Sequence, residues 1–267
     1  MIALKFCANL NFMFLEAGSF LDRYRAAKAA GFEAVEGPCP PPEVTPEALA
    51  AVLKETGLKQ ILLNIALGDQ PEGKFGCAAL PGWETEYVAN LERTVEYAKA
   101  LGCGKIHIMA GTPNGTPNAA NDRTYLANLQ AAAPILGRNN IVGVIEPICT
   151  YGVPGYYLSC YKKAVQMITD VGSPNVRLMF DVYHAQHIRG DITNGIRALA
   201  PYIGHVQIAQ VPGRNEPSSD GELNFRYILH VLATEGRYTD GWVGCEYKPL
   251  AGTAQGLGWL RDFGYWQ

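Results

Sequence analysis

Glu146, Asp181, Gln207 and Glu246 stand at or near the ends of short apolar runs. IVGVIEP carries Glu146 just before a proline, VRLMFD ends at Asp181, HVQIAQ carries Gln207, and WVGCE ends at Glu246. Ionised carboxylates are costly to bury unless something pairs with them. One strand-end acid alone is more often a helix cap or a salt-bridge partner, but a fourfold repetition asks for a common cause. If the four converge, three acids would repel one another and be driven toward their protonated forms, and a divalent cation would remove that repulsion. Three carboxylates and one amide oxygen suit a hard ion, Mg²⁺ or Mn²⁺, better than zinc, which favours nitrogen and sulfur.

The elements that must position these groups alternate along the chain. Short β-like runs such as LKFCANL, AVEG, KQILLNIA and KIHIMAG are each followed by a helical pattern. Ser19 and Asp22 have capping-box spacing, Thr45 precedes Pro46 as an N-cap, and Gly31, Gly57 and Gly102 stand where helices should stop. The clearest amphipathic helix is WETEYVANLERTVEYAKALG, with Tyr87, Leu91, Val95 and Ala98 on one stripe. About eight strand-then-helix units imply parallel pairing. They fit a single (β/α)8 TIM barrel over residues 1–267 better than an open doubly wound sheet, and no GxGxxG follows the first strand. In such a barrel, adjacent strands lie about 4.8 Å apart, so strands five to eight would bring the four oxygen donors to one mouth.

Bulk properties narrow the function. With 48% hydrophobic and 18% charged residues, the chain is expected to fold around a sizeable core. A net charge of −3 supplies no basic field for nucleic acid or an anionic membrane. No apolar run reaches spanning length, and Lys5 interrupts the N-terminal one, so neither a membrane segment nor a secretory signal is expected. Seven scattered cysteines without CxxC pairs read as reduced thiols, which points to the cytoplasm.

The segments LNIALGD, HIMAG, IEPI, FDVYH, IGHVQIAQVPGRNEP, GELNF and GWVGCEYKP carry a resemblance over nearly the whole chain. Together they resemble the hydroxypyruvate isomerase family, a branch of the xylose-isomerase-like TIM barrels. The resemblance implies interconversion of hydroxypyruvate and tartronate semialdehyde. It further implies Glu146 and Glu246 as paired catalytic acids and Glu146, Asp181, Gln207 and Glu246 as metal ligands. Moving a carbonyl between neighbouring carbons requires proton removal, an enediolate, and proton return, which suits two carboxylates and a Lewis-acidic cation.

Four further residues are candidates for substrate binding. Arg214 could fork onto a substrate carboxylate, His184 could polarise a substrate oxygen or brace the carboxylates, and His107 and Asn64 could line the mouth. His187 reads as structural, and a zinc trio of Asp181, His184 and His187 is an alternative. The expected partner is a small hydroxy-keto acid, with a homo-oligomer left open. Rival functions are an isomerase of a longer 2-oxo acid, a ketose 3-epimerase, and a non-catalytic ligand-binding barrel. The epimerase would want a histidine at Gln207 and a glutamate at Gly152.

Overall fold

The computed structural model describes residues 4–68, 75–236, 238–239 and 241–266. Asp69 of the LNIALGD segment lies outside them. Eight parallel strands follow one another around a closed barrel in chain order, as the alternation predicts. They are β1 (Lys5–Asn9), β2 (Ala34–Gly37), β3 (Lys59–Asn64), β4 (Lys105–His107), β5 (Val142–Ile145), β6 (Val176–Asp181), β7 (Ile203–Ile208) and β8 (Trp242–Cys245). The helices between them are α1 (Phe20–Ala29), α2 (Pro46–Thr56), α3 (Glu84–Leu101), α4 (Ala119–Arg138), α5 (Tyr161–Val171), α6 (Val182–Ile188), α7 (Ile192–Leu199) and α8 (Phe225–Thr234). A 3-10 turn (Thr253–Leu257) and α9 (Gly258–Asp262) close the described chain.

The local signals act as expected where they are strong. Ser19 accepts a hydrogen bond from the Asp22 amide at 3.2 Å, and Thr45 accepts one from Ala48 at 3.2 Å. Gly102 ends α3 in the left-handed region at φ 61°, which a residue with a Cβ adopts only at a cost. Two differences are informative. Helix α4 starts at Ala119, well before the apolar period becomes visible, because Asn118 and Asn121 form a reciprocal capping box. Helix α6 has no counterpart in the strand-then-helix reading: it begins directly after β6, with Asp181 as its N-cap.

Contacts gather into two compact units, one containing β1, β2, β7 and β8, the other β4 and β5. In the first, β1 pairs with β8, setting Cys7 beside Gly244, and β7 pairs with β8, setting Gln207 beside Gly244 as well. Phe6 of β1 packs edge-on against Trp259 of α9 and Tyr265, with centroids at 5.2 and 4.7 Å. In the second, β4 pairs with β5, and Leu62, Val144 and Met179 form a fully buried cluster against Val142. Truncating Leu62 leaves a cavity that this interdigitated cluster cannot refill. Leu62→Ala should therefore lower unfolding stability by about 2–5 kcal/mol, seen as a lower urea midpoint with an unchanged slope; an unchanged midpoint would contradict the packing.

Candidate active site

Side chains two residues apart on a strand share a face, so His205 and Gln207 of β7 point the same way. Both meet Glu36 of β2. His205 Nε2 lies 2.6 Å from Glu36 Oε2, and Gln207 Nε2 donates to Oε1 at 2.7 Å. Asn9, the last residue of β1, donates through Nδ2 to the same Oε1 at 2.8 Å and to Glu246 Oε1 at 3.3 Å. The Cys7 thiol reaches Glu36 Oε2 at 3.5 Å. Glu36 is wholly buried. The carboxylate fits only because residue 244 has no side chain: a Cβ on Gly244 would lie 2.2 Å from Oε1.

Asp181 and Glu246 stand at the ends of β6 and β8, as the sequence predicts. Asp181 Oδ1 accepts the Tyr183 amide at 2.8 Å, and Oδ2 faces His184 Nε2 at 3.6 Å and Arg214 Nη2 at 3.5 Å. Arg214 also pairs with Glu246 through Nη2 and Oε2. Its guanidinium is held between the rings of Phe12 and Tyr183, 4.7 and 4.8 Å from their centroids, a cation–π sandwich. The Arg214 backbone takes the left-handed region at φ 57°. Its amide donates to Gln210 O and its carbonyl accepts from the Lys248 amide, and these two bonds hold that geometry.

The electrostatics follow from burial and neighbours. Burial would push Glu36 up, but the charge and hydrogen bond of His205, with the amides of Gln207 and Asn9, hold it below the ordinary glutamate value. Burial raises Asp181, against the pull of Arg214 and the Tyr183 amide. Glu246 is pushed up to about 8, first by burial, with the Asp181 and Glu36 charges adding to it and Arg214 opposing. Asp181 and Glu246 therefore titrate as an interacting pair.

On the other unit, Glu146 follows β5 and is buried; its Oε2 lies 3.6 Å from Nε2 of His107, the last residue of β4. Asn64 ends β3 opposite His107 in the β3–β4 register and is half-buried. Glu146, Asp181, His184 and Glu246 each offer a ligand atom, and these atoms all lie within 4.8 Å of one another. His187 is not among them; its ring meets that of Tyr183 edge-on at 4.7 Å, and the zinc trio does not form among the described residues. Gln207, the remaining ligand candidate from the sequence, lies on β7. Its Nε2 is committed to Glu36, while its buried Oε1 has no hydrogen-bond partner among the described residues. A cluster of buried carboxylates and a histidine of this kind could hold a metal ion.

Glu36, Asn9, His205, Phe12 and Tyr183 join the site without having been singled out by sequence. For His205 a signal exists, since it alternates with Gln207 on one strand. AVEG likewise places an acid, Glu36, one residue before the end of a short strand, close to the pattern that marks the other three.

Residues 24–263 match the model of the xylose isomerase-like TIM barrel family. A human protein named putative hydroxypyruvate isomerase is 46% identical over 100% of this chain and 96% of its own length. The hydroxypyruvate isomerase of Escherichia coli is 39% identical over 97% of this chain and 99% of its own. The chain belongs to the hydroxypyruvate isomerase family of xylose isomerase-like TIM barrels. It is an isomerase. A 2-oxo-tetronate isomerase of Cupriavidus necator is 43% identical over 97% of this chain and 98% of its own. Among solved structures, one from Brucella melitensis described as an AP endonuclease of family 2 superposes with a TM-score of 0.91 at 39% identity, covering 97% and 98% of the two chains. Sugar epimerases at 15–21% identity share the fold.

No helix among the described residues of this isomerase is long and apolar enough to cross a membrane. In the absence of added cations, the raised Glu246 gives a definite pH dependence. The folded state holds a proton on this carboxyl up to about 8, whereas the unfolded chain releases it near 4.5. Stability from this group is therefore full below about 4.5 and is lost as pH rises through about 8. Glu246→Gln removes that titration, so its melting temperature relative to wild type should climb between pH 5 and pH 8. A difference that stays flat across this range would show that Glu246 titrates normally.

Proposed function

We propose that this isomerase interconverts hydroxypyruvate and tartronate semialdehyde by moving a proton between adjacent carbons through an enediolate. The observation that carries the reading is the meeting of two buried glutamates, Glu146 and Glu246, with Asp181 in one cluster, one of them poised to gain and lose a proton near neutral pH. One carboxylate takes the proton from the hydroxymethyl carbon of hydroxypyruvate, leaving a C2–C3 enediolate. A proton then returns to C2 while the C3 hydroxyl proton passes to the C2 oxygen, so the product is an isomer with no redox partner required.

Glu146, Asp181, Gln207 and Glu246 would hold Mg²⁺ or Mn²⁺, and His184 lies close enough to join them. When bound, such a cation supplies Lewis acidity that favours negative charge on the two adjacent substrate oxygens. Arg214 serves the substrate carboxylate. The Phe12–Tyr183 sandwich fixes the plane of its fork, which limits the freedom lost on binding. His184 and His107 each stand beside a carboxylate and would orient it or donate to a substrate oxygen, while Asn64 lines the wall at the end of β3.

A second reading keeps the chemistry and lengthens the substrate to a four-carbon 2-oxo acid, which the similarity to the Cupriavidus necator 2-oxo-tetronate isomerase favours. An endonuclease role, suggested by the name given to the Brucella melitensis protein, finds no support in a net charge of −3.

The test is proton NMR in D₂O with metal-stripped protein, offering hydroxypyruvate and 2-oxo-tetronate separately, with and without Mn²⁺ or Mg²⁺. Cation-dependent formation of tartronate semialdehyde should occur, with deuterium entering C2, and Glu246→Gln should slow it by at least about 10²-fold. Turnover of the four-carbon acid alone would favour the second reading. Inertness of both would leave a binding barrel.

A further inference from the structure

The proposed reaction has no use for one wholly buried carboxylate of the site. Glu36 lies on β2 with no exposure, yet it accepts from three polar side chains, Asn9, His205 and Gln207, at 2.6–2.8 Å. Its two oxygens are divided. Oε2 takes His205 and the weaker Cys7 contact, whereas Oε1 takes both amides, Gln207 and Asn9. An amide is ambiguous about which end it presents; a carboxylate, which only accepts, removes that ambiguity. With Nε2 bound to Glu36, the Gln207 oxygen must turn away from it, and this is the buried oxygen left without a hydrogen-bond partner among the described residues. Asn9 is oriented in the same way and passes its Nδ2 on to Glu246 Oε1 at 3.3 Å. The chain leaves residue 244 without a side chain at the spot this carboxylate fills.

We infer that Glu36 is a positioning residue for the cation site, fixing the Gln207 amide so that its oxygen, not its nitrogen, is offered as a ligand, and steadying Glu246 through Asn9. The inference rests on the cation reading above. Glu36 itself touches neither substrate nor cation. A merely structural Glu36–His205 pair would affect stability alone, whereas a positioning role sets cation affinity within the folded protein.

The experiment measures Mn²⁺ binding by electron paramagnetic resonance of the free ion, alongside thermal melting, for wild type, Glu36→Gln, Glu36→Asp and the double variant Glu36→Gln/Gln207→Glu. Glu36→Gln lets position 36 donate, so the Gln207 amide loses its fixed sense. Glu36→Asp keeps the charge opposite His205 but withdraws the oxygens from Gln207, and it carries the test if Glu36→Gln does not fold. Each single variant should weaken Mn²⁺ binding about 10–100-fold, the usual cost of losing a group that orients a ligand. The double variant reverses donor and acceptor, again leaving an oxygen of residue 207 for the ion, and should recover most of the loss. Wild-type affinity in either folded single variant would overturn the inference while leaving the cation site intact. Absence of Mn²⁺ binding in wild type would remove the site itself and the role of Glu36 with it.

Discussion

Three carboxylates from β2, β6 and the end of β8 share one water-poor interior, and the construction of the site follows from keeping them there. Coulomb repulsion between buried like charges is severe, and burial alone drives each acid toward its neutral form. The protein answers differently for each. Glu36 is held ionised by His205 and two amides. Asp181 spends one oxygen capping α6, so the backbone amide of Tyr183 supports its charge. Glu246 has Arg214 as its counterion, yet burial, with the Asp181 and Glu36 charges adding to it, still leaves it raised. A site that is short of positive charge after all these arrangements is suited to receive a cation.

Arg214 connects this charge balance to the loops. It stands between Phe12, from the segment after β1, and Tyr183, from the first turn of α6, and its backbone is tied to the segments after β7 and β8. Those segments are themselves fastened: Glu216 accepts from the Leu250 amide, and Glu16 accepts from Thr253. The guanidinium that the proposed reaction assigns to the substrate carboxylate is thus positioned by four connections of the barrel rather than by one mobile loop.

Much of this is legible in the sequence because barrel strands repeat. Four oxygen-bearing residues at or near the ends of four apolar runs identify β5 to β8, and caps such as Ser19, Thr45 and Gly102 divide the chain into strand-then-helix units. The remainder is hidden for identifiable reasons. Helix α6 has seven residues and opens on a residue that also ends a strand, so no turn separates the two elements. Glu36 lies near a strand end as the other acids do, but its partners His205 and Asn9 lie far away in sequence, and only barrel closure brings them together. The sandwich of Arg214 depends on Phe12, whose place after β1 gives no periodic signal.

The central proposal is a cation bound by these particular oxygens. The most direct test is a crystal of the protein soaked in Mn²⁺, measured for anomalous scattering at the manganese edge. A single strong peak should lie within about 2.0–2.3 Å of carboxylate oxygens of Glu146, Asp181 and Glu246 and of Gln207 Oε1, with Gln207 Nε2 still on Glu36. A peak elsewhere on the molecule, or none at this cluster at saturating Mn²⁺, would contradict it.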